Sequence, residues 1–186
     1  TPSISSCNNK QYDGGTSATC TGSLSGVISG ETANLGKTCT FANAAVGNNK
    51  TVTCTLSITG TNAGNYELSA TSLTKTANIT KKDVTASISS CDNKQYDGSD
   101  TASCTLTVSG KVGSEVVNAT GTCKFNSSAI ANSKKVTCSS LSLSGTNKNN
   151  YNLTTTSLEG SANITKKTIT PSISSCNNKQ YDGGTS

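Results

Sequence analysis

An internal repeat constrains this chain more than any other feature. The four cysteines of the first copy recur 84 positions later, as the pairs Cys7/Cys91, Cys20/Cys104, Cys39/Cys123 and Cys54/Cys138. Beyond the second copy's Ser139 and Ser140, where the first copy has only Thr55, the offset becomes 85. The opening segment 1–17 then returns, letter for letter, as 170–186. Such regularity predicts a tandem array, in which each repeat is one structural unit that stacks on its neighbours.

The repeats divide the chain into a first unit at 1–82, a second at 83–167 and the first hairpin of a third at 168–186. We expect the chain to be a window on a longer array. The single extra residue at Ser139 and Ser140 predicts a β-bulge. The junction at 81–86 is very short, so neighbouring units are expected to stack into a stiff rod.

The fold class follows from alternation. At 52–58 the even positions are Val, Cys, Leu and Ile, and the odd positions are Thr, Thr and Ser, which is the pattern of a half-buried strand. No stretch has apolar residues at helical spacing over three turns. We therefore predict an all-β protein of small antiparallel β domains, sandwich or β-grasp-like. Strands of the first copy are expected at 3–11, 16–24, 34–42, 51–59 and 66–80.

Composition indicates that each unit needs covalent help. Hydrophobic residues make up 31% of the chain and aromatic residues 4%, so a unit of this size has little to bury. Four regularly spaced cysteines per repeat are typical of disulfide-stabilised domains in an oxidising, extracellular compartment. Reduced, buried thiols in a cytosolic protein are the alternative, which the abundance of Thr, Ser, Asn and Gly disfavours.

Turn geometry favours one disulfide pairing. A two-residue hairpin loop at Asp13–Gly14 places Cys7 directly opposite Cys20, at a close, non-hydrogen-bonded site. The second copy agrees, because a loop at Asp97–Gly98 places Cys91 opposite Cys104. Cys39 and Cys54 flank the AVGNNK turn almost symmetrically, which favours Cys39–Cys54 and, in the second copy, Cys123–Cys138. Crossed pairings such as Cys7–Cys54 with Cys20–Cys39 remain open in a small closed barrel or a sandwich.

The ninth cysteine, Cys176, matches Cys7 and Cys91 but has no partner thirteen residues later in this sequence. We predict that Cys176 is unpaired, on a strand leading to a turn at Asp182–Gly183 like that of the first copy. The rival interpretation is that Cys176 bridges to another unit and links a filament covalently.

Catalytic and metal chemistry are not indicated. The chain has no histidine, so the usual general base is missing, and its carboxylates are scattered singly. The cysteine spacings contain no C-x-x-C motif, so we expect no metal site, no cofactor and no enzyme activity. Asp13 and Asp97 are interpreted as turn residues before Gly14 and Gly98. Tyr12 and Tyr96 are expected to cover the edge of the core beside the turn.

Charge argues against nucleic acid as a partner. The net charge of +5 comes from fifteen lysines with no arginine, and aromatic residues are few. Nucleic-acid recognition relies on arginine forks and aromatic stacking, which this composition does not provide. No membrane-spanning run is present in this window of sequence.

An ordered series of motifs carries a family resemblance. KQYDG is followed by T-x-A, by LSG with a turn at Gly30–Glu31, by F-x-x-x-x-VG-x-x-K-x-VT, by ITGTNAGNY-x-L and by ANIT. This series resembles the YDG-type repeats, which occur with the related MBG-type repeats in long bacterial surface proteins. The resemblance implies tandem β domains in secreted or adhesin-like proteins and supplies no activity. The cysteines depart from it: KTVTC, ending at Cys54, would usually end in an aliphatic residue.

The sequence therefore predicts a structural repeat of a long secreted bacterial surface fibre or adhesin stalk, reinforced by disulfides and without catalysis. Its expected partners are the neighbouring repeats of the same chain and other copies in a fibre, and its expected location is extracellular, at the bacterial cell surface. The alternative is a binding module, in which each repeat presents a weak glycan or mucin site that multivalency strengthens.

Overall fold

The structure, a computed structural model, describes residues 1–185. Ser186, the last residue of the predicted third unit, lies outside the described residues. The all-β prediction is confirmed, because these residues form fifteen strands and only two short 3-10 helices, at Ala63–Asn65 and Lys148–Asn150. Neither helix has the length or the apolar character that crossing a membrane requires.

The first repeat has two layers. Its strands are β1 (Pro2–Cys7), β2 (Lys10–Gln11), β3 (Ser17–Ala18), β4 (Cys20–Leu24), β5 (Asn34–Phe41), β6 (Gly47–Thr59) and β7 (Ser72–Thr80). β1 and β4 form an antiparallel pair, and the other five strands form a sheet in the order β2-β7-β6-β5-β3. Only β2 and β7 are parallel neighbours in that sheet. The small layer packs on the large one through β1 against β7 and β4 against β5.

The second repeat has the same plan with one added strand. Its strands are β8 (Lys82–Cys91), β9 (Lys94–Gln95), β10 (Thr101–Ala102), β11 (Cys104–Ser109), β12 (Asn118–Phe125), β13 (Ala131–Ser144), β14 (Tyr151–Leu153) and β15 (Leu158–Thr165). The large sheet has the order β10-β12-β13-β15-β9, and the small layer has three strands in the order β11-β8-β14. Lys81 alone separates β7 from β8, so the two repeats follow each other with almost no linker.

The tight hairpin predicted at Asp13–Gly14 is wrong. β1 and β4 diverge beyond Cys7 and Cys20, because β2 joins one edge of the large sheet and β3 joins the other. The backbone N–H of Tyr12 donates to the carbonyl of Thr80 and does not pair with Gly15. The predicted strands 3–11 and 16–24 are therefore each split between two layers. As a result, the segment between β1 and β4 supplies both edge strands of the large sheet.

The strand predicted at 66–80 is also shorter than expected. In the first repeat β7 begins only at Ser72, whereas the second repeat has an additional short strand, β14. β14 pairs in parallel with the first three residues of β8, Lys82–Val84. Among residues 1–185 no strand pairs with Tyr66 and its neighbours.

The bulge predicted at the inserted residue is confirmed. Thr120 pairs with Ser142 and Thr122 pairs with Ser139, so two residues of β13 face one residue of β12. The extra residue, Ser140, has a positive φ of 52°. In the first repeat the β5–β6 ladder runs without a register shift. A β-bulge absorbs one residue while leaving the side-chain alternation on both sides intact.

The core lies between the two layers, where the alternating side chains of the central strands meet. Val52, Cys54 and Leu56 of β6 are 0%, 0% and 6% exposed, as the period-two pattern predicts. The cluster around them extends beyond the first repeat and includes Val84, Val117 and Tyr151 of the second. The contact between repeats is therefore part of a continuous apolar core.

The described part of the third unit, residues 168–185, forms no strand and is exposed throughout. The prediction that Cys176 lies on a strand is therefore wrong. Cys176 is unpaired and exposed, as the sequence suggested. Pairing with β4 and packing against β7 hold β1 in the first copy, and the predicted third hairpin has no equivalent partners within residues 168–185.

Candidate functional site at the joint between repeats

Two disulfides cross the strand pairs of each repeat. They join Cys7–Cys20, Cys39–Cys54, Cys91–Cys104 and Cys123–Cys138, with Cα–Cα distances of 3.9–4.0 Å. These are the pairs that the register argument favoured, and the crossed pairings are not formed. In each case the two cysteines are directly opposite in an antiparallel ladder.

The two disulfides of a repeat also contact each other across the core. The sulfur atoms of Cys7, Cys20 and Cys54 lie within 4.8 Å of one another, as do three sulfur atoms of the second repeat. Spacing of this kind would suit a soft metal ion, but metal ligation requires thiolates and these sulfur atoms are in disulfides. Each disulfide therefore joins two strands of one layer, and the contact between the two disulfides packs the small layer against the large sheet.

The KQYDG motif forms a turn closed by a lysine. Asp13 Oδ1 accepts hydrogen bonds from the backbone N–H of Gly15 and from Lys10 Nζ, both at 2.8 Å, and Lys10 Nζ also donates to the carbonyl of Gly15. Gly14 has a φ of 79°, which side-chain-bearing residues rarely adopt. The Lys10 ammonium and the Gly15 amide lower the pKa of Asp13. The aspartate is thus a turn residue, in agreement with its predicted role.

The same turn recurs in both later copies. Lys94 and the amide of Ser99 bind Asp97 and lower its pKa to about 2, and Lys179 with the amide of Gly184 lowers the pKa of Asp182. Even the third copy keeps this turn without any strand around it, so the turn is locally encoded.

The lysine of the KQYDG motif contacts an aromatic ring as well as the turn. Lys10 Nζ lies 5.7 Å from the centre of the Phe41 ring, and Lys94 Nζ lies 5.8 Å from that of Phe125. Each lysine therefore bridges the turn carboxylate and the face of a core aromatic ring.

The side chain of Tyr12, next to this turn, packs against the second repeat. Its side chain is 5% exposed, and its ring meets that of Tyr151 edge-to-face, with centroids 5.5 Å apart. The hydroxyl of Tyr12 donates to Glu115 Oε1, and the hydroxyl of Tyr151 donates to Glu115 Oε2. The hydrogen bond to Glu115, followed by burial, raises the pKa of Tyr12 to about 12. Burial and then Glu115 also raise the pKa of Tyr151.

Two further contacts complete what we call the joint. A Cβ atom at Gly14 would lie 3.0 Å from Cγ1 of Val112, so the turn of the first repeat sits directly on this side chain. The backbone N–H of Val46 donates to Asn150 Oδ1 at 3.2 Å. The joint therefore combines a buried aromatic pair, a carboxylate shared by two hydroxyls and a close backbone approach.

The counterparts of the joint residues at the two outer ends are open. Tyr96, the counterpart of Tyr12, is 41% exposed, and Ile28, the counterpart of Val112, is 65% exposed. Tyr12 thus covers the core edge as predicted, whereas Tyr96 does so only partly. Glu115 and Tyr151 were not identified from sequence as site residues. Their only signal was that Glu31 and Tyr66 recur in the same motif series as KQYDG.

A surface groove of about 280 Å³ borders the joint. The residues that line it are Lys81, Leu143, Lys148, Asn149, Tyr151, Asn152 and Leu153. Small-molecule sites usually occupy about 300–1,000 Å³ and are mostly apolar. The lysine and asparagine side chains of this groove offer hydrogen-bond donors at the surface, but the ring of Tyr151 is buried and unavailable for stacking.

Comparison with known protein families gives a match in both repeats. The family model described as YDG domain matches residues 1–74 and 80–158, once in each repeat. A search of curated proteins and a search of solved structures each found nothing that matches.

Proposed function

Since the chain belongs to the YDG domain family and its two repeats share a buried joint, we propose that it is a stalk segment of a secreted bacterial surface fibre or adhesin. In this role each repeat holds the next at a fixed distance and orientation. No chemistry is required of the chain beyond mechanical continuity.

The joint is the observation that carries this proposal. A spacer must transmit position from one unit to the next, which a flexible linker does not do. Here a single residue, Lys81, connects the repeats, and Tyr12 of one repeat is buried against Glu115 and Tyr151 of the next. Because interdomain contacts that are small and polar allow relative motion by default, this apolar, hydrogen-bonded contact favours a rigid connection.

The disulfides support an extracellular stalk. Each closes a loop of 13 or 15 residues, and such loops stabilise a small domain by about 3 kcal/mol. Disulfides persist in secreted proteins and are rare in the cytosol. Cross-links within every repeat also limit how far a unit can extend under load, which suits a fibre at a cell surface.

The length of longer arrays tests the proposal. Arrays of two, four and six repeats joined in the native frame are compared by small-angle X-ray scattering and electron microscopy. The proposal predicts a maximum dimension that rises linearly with repeat number. Growth with about the square root of the repeat number would indicate flexible beads and contradict it.

A weak glycan-binding module is the second candidate, and the groove beside the joint is the place that would serve it. Lys81, Lys148 and the neighbouring asparagines present donors to hydroxylated or acidic sugars. A glycan array probed with the six-repeat protein tests this candidate, because multivalency amplifies weak sites. Binding that is lost in a Lys148→Glu variant and kept in a Lys111→Glu variant would favour it. No binding at this valency would leave the stalk as the sole role.

A further inference from the structure

We propose that two surfaces left uncovered among residues 1–185 are the two halves of one interface, through which a second copy of the 186-residue chain docks head to tail. The Tyr96 end comprises Tyr96, Gly98 and Ile130 of the second repeat. The Glu31 end comprises Ile28, Glu31, Asn65 and Tyr66 of the first. The proposal does not rest on the stalk role, because chains can associate end to end without serving as spacers.

The Tyr96 end repeats the first-repeat side of the joint, residue by residue. Tyr12, which is 5% exposed in the joint, becomes Tyr96, which is 41% exposed, and Val46 becomes Ile130, which is 48% exposed. Nothing lies within 4 Å of a Cβ atom built at Gly98, whereas the same atom at Gly14 meets Val112. The surface that fits into the joint is therefore present again and uncovered.

The Glu31 end repeats the other side of the joint and is already formed. Tyr66 donates to Glu31 Oε2 and accepts from the backbone N–H of Ile28 at 3.0 Å. In the joint Tyr151 makes the same contacts, donating to Glu115 Oε2 and accepting from Val112 at 2.9 Å. Among residues 1–185 the other oxygen, Glu31 Oε1, accepts no hydrogen bond, although its counterpart binds Tyr12.

The second repeat's tail also matches the strand edge that is open beside Tyr66. In the joint Lys82 and Asp83 pair with Tyr151 and Asn152. Their counterparts, 85 positions later, are Lys167 and Thr168, which are exposed and belong to no strand. We infer that these two residues of the incoming copy pair with Tyr66 and Glu67 of the recipient. An extended segment added to an open edge gains main-chain hydrogen bonds.

A cavity lies beside Tyr66, at the place where the next residue of the incoming strand would fall. It has a volume of about 190 Å³, and Leu24, Gly26, Ile58 and Tyr66 are among the residues that line it. In the second repeat Val84 occupies the corresponding place: it is 2% exposed and lies 3.8 Å from a Cβ atom built at Gly110, the counterpart of Gly26.

The residue of the incoming copy that matches Val84 is Ile169, which is 83% exposed in its own chain. Its side chain can contact Leu24 and Ile58 in this cavity, with Thr1 of the recipient moved aside. Beyond Ile169 the tail repeats the sequence of Thr1 and β1. Because the recipient's own β1 already fills that position, the tail leaves the interface there.

The arrangement of the two ends determines the product. They are different surfaces on different repeats, so docking uses one end and leaves the other available. Such a heterologous contact does not close on itself unless the rotation happens to complete a ring, and it generates linear oligomers.

Sedimentation velocity of the 186-residue chain, from about 10 µM to 1 mM, tests the proposal over the range of weak association. We expect the mean sedimentation coefficient to rise with concentration. Tyr96→Phe removes one hydrogen bond to a carboxylate and should weaken association about tenfold. Ile28→Asp, at an exposed position, should abolish it. The controls are Tyr181→Phe and Ile173→Asp, which make the same substitutions at tail positions that are more exposed and lie outside both ends, and they should behave as the unmodified chain.

Three results would overturn the proposal. The first is a monomer throughout the concentration range, and the second is equal behaviour of the end variants and the tail controls. The third comes from non-reducing peptide mapping of the oligomer. A link between Cys176 of one copy and Cys20 of another would show that the tail displaces β1, so that strand exchange joins the copies instead of docking. Docking predicts that Cys176 remains a thiol and that Cys7–Cys20 stays intact.

Discussion

Replacing Tyr12 by phenylalanine isolates the hydrogen bond that the two repeats share. The ring stays, so its contact with Tyr151 is kept, and only the hydroxyl that donates to Glu115 is removed. A hydrogen bond to a charged group contributes about 1.5–3 kcal/mol when one partner is deleted and the other stays buried. Tyr12→Phe should therefore lower the free energy of unfolding by about 2 kcal/mol.

Tyr96→Phe is the matched control. Tyr96 follows the same Lys-Gln pair and precedes the same Asp-Gly turn, but its hydroxyl has no partner among residues 1–185 and its side chain is 41% exposed. Surface changes of this kind alter stability by about 0.5 kcal/mol or less. The difference between the two variants therefore measures the joint and excludes the local cost of the substitution.

The assay is thermal and guanidinium unfolding of the oxidised chain at neutral pH, followed by circular dichroism. If both repeats melt as one unit, Tyr12→Phe should lower Tm by about 4–8 °C, and Tyr96→Phe by about 1–2 °C at most. In a Glu115→Gln background the effect of Tyr12→Phe should fall, because the acceptor is no longer charged. Equal effects of Tyr12→Phe and Tyr96→Phe would refute the reasoning, because the joint would then contribute nothing to stability.

Three other perturbations probe the same structure by denaturant or thermal unfolding. Gly14→Ala and Gly98→Ala should each lower the free energy of unfolding by about 1–2 kcal/mol, because both glycines have a left-handed backbone that alanine rarely adopts. Gly14→Ala should lower it by about 1–3 kcal/mol more, because the added Cβ meets Val112 of the second repeat. Equal losses in the two variants would contradict this contact. Replacing both Cys39 and Cys54 by alanine should lower the free energy of unfolding by about 3 kcal/mol. Unchanged stability would contradict a stabilising role for this disulfide. Because the folded pKa of Tyr12 is raised to about 12 from 10, its contribution is fully present below pH 10 and is lost between pH 10 and 12. Tm should fall less over that interval in Tyr12→Phe, and an equal fall in both proteins would assign the alkaline transition to other groups.

The sequence predicted what depends on local periodicity. Alternation at Val52, Cys54 and Leu56 placed β6 and its buried face, because side chains of a strand alternate between core and solvent. The inserted residue predicted the bulge now seen at Ser140, because one extra residue in a ladder has few other outcomes. Both features are set by the immediate neighbours in the chain.

The pairing of Cys7 with Cys20 was obtained although the turn between them was wrongly predicted. The tight-hairpin register holds at the cysteines, where Cys7 pairs with Cys20 and Ser6 with Thr21. A sequence pattern does not reveal that the intervening residues leave for another sheet. That choice depends on the hydrogen bond from Tyr12 to Thr80, which lies 68 residues later in the chain.

The joint was beyond sequence reasoning for a similar reason. Tyr12 and Glu115 are 103 positions apart, and neither lies in a local sequence pattern that predicts contact with the other. Tyr96 occurs in the same motif as Tyr12 and yet is exposed. The role of this tyrosine therefore depends on whether a following repeat is folded against it, which is a property of tertiary structure.

Rotational diffusion of the two repeats tests the central claim, that the joint holds them as one body, most directly. ¹⁵N relaxation of residues 2–165 in the oxidised chain, measured at a concentration at which sedimentation velocity shows a monomer, should fit a single, elongated diffusion tensor for both repeats. Glu115→Ala removes the shared carboxylate and should separate the two repeats into two tensors. Glu31→Ala removes the same residue from the open end and should leave the single tensor intact. Two independent tensors in the unmodified chain would contradict the account.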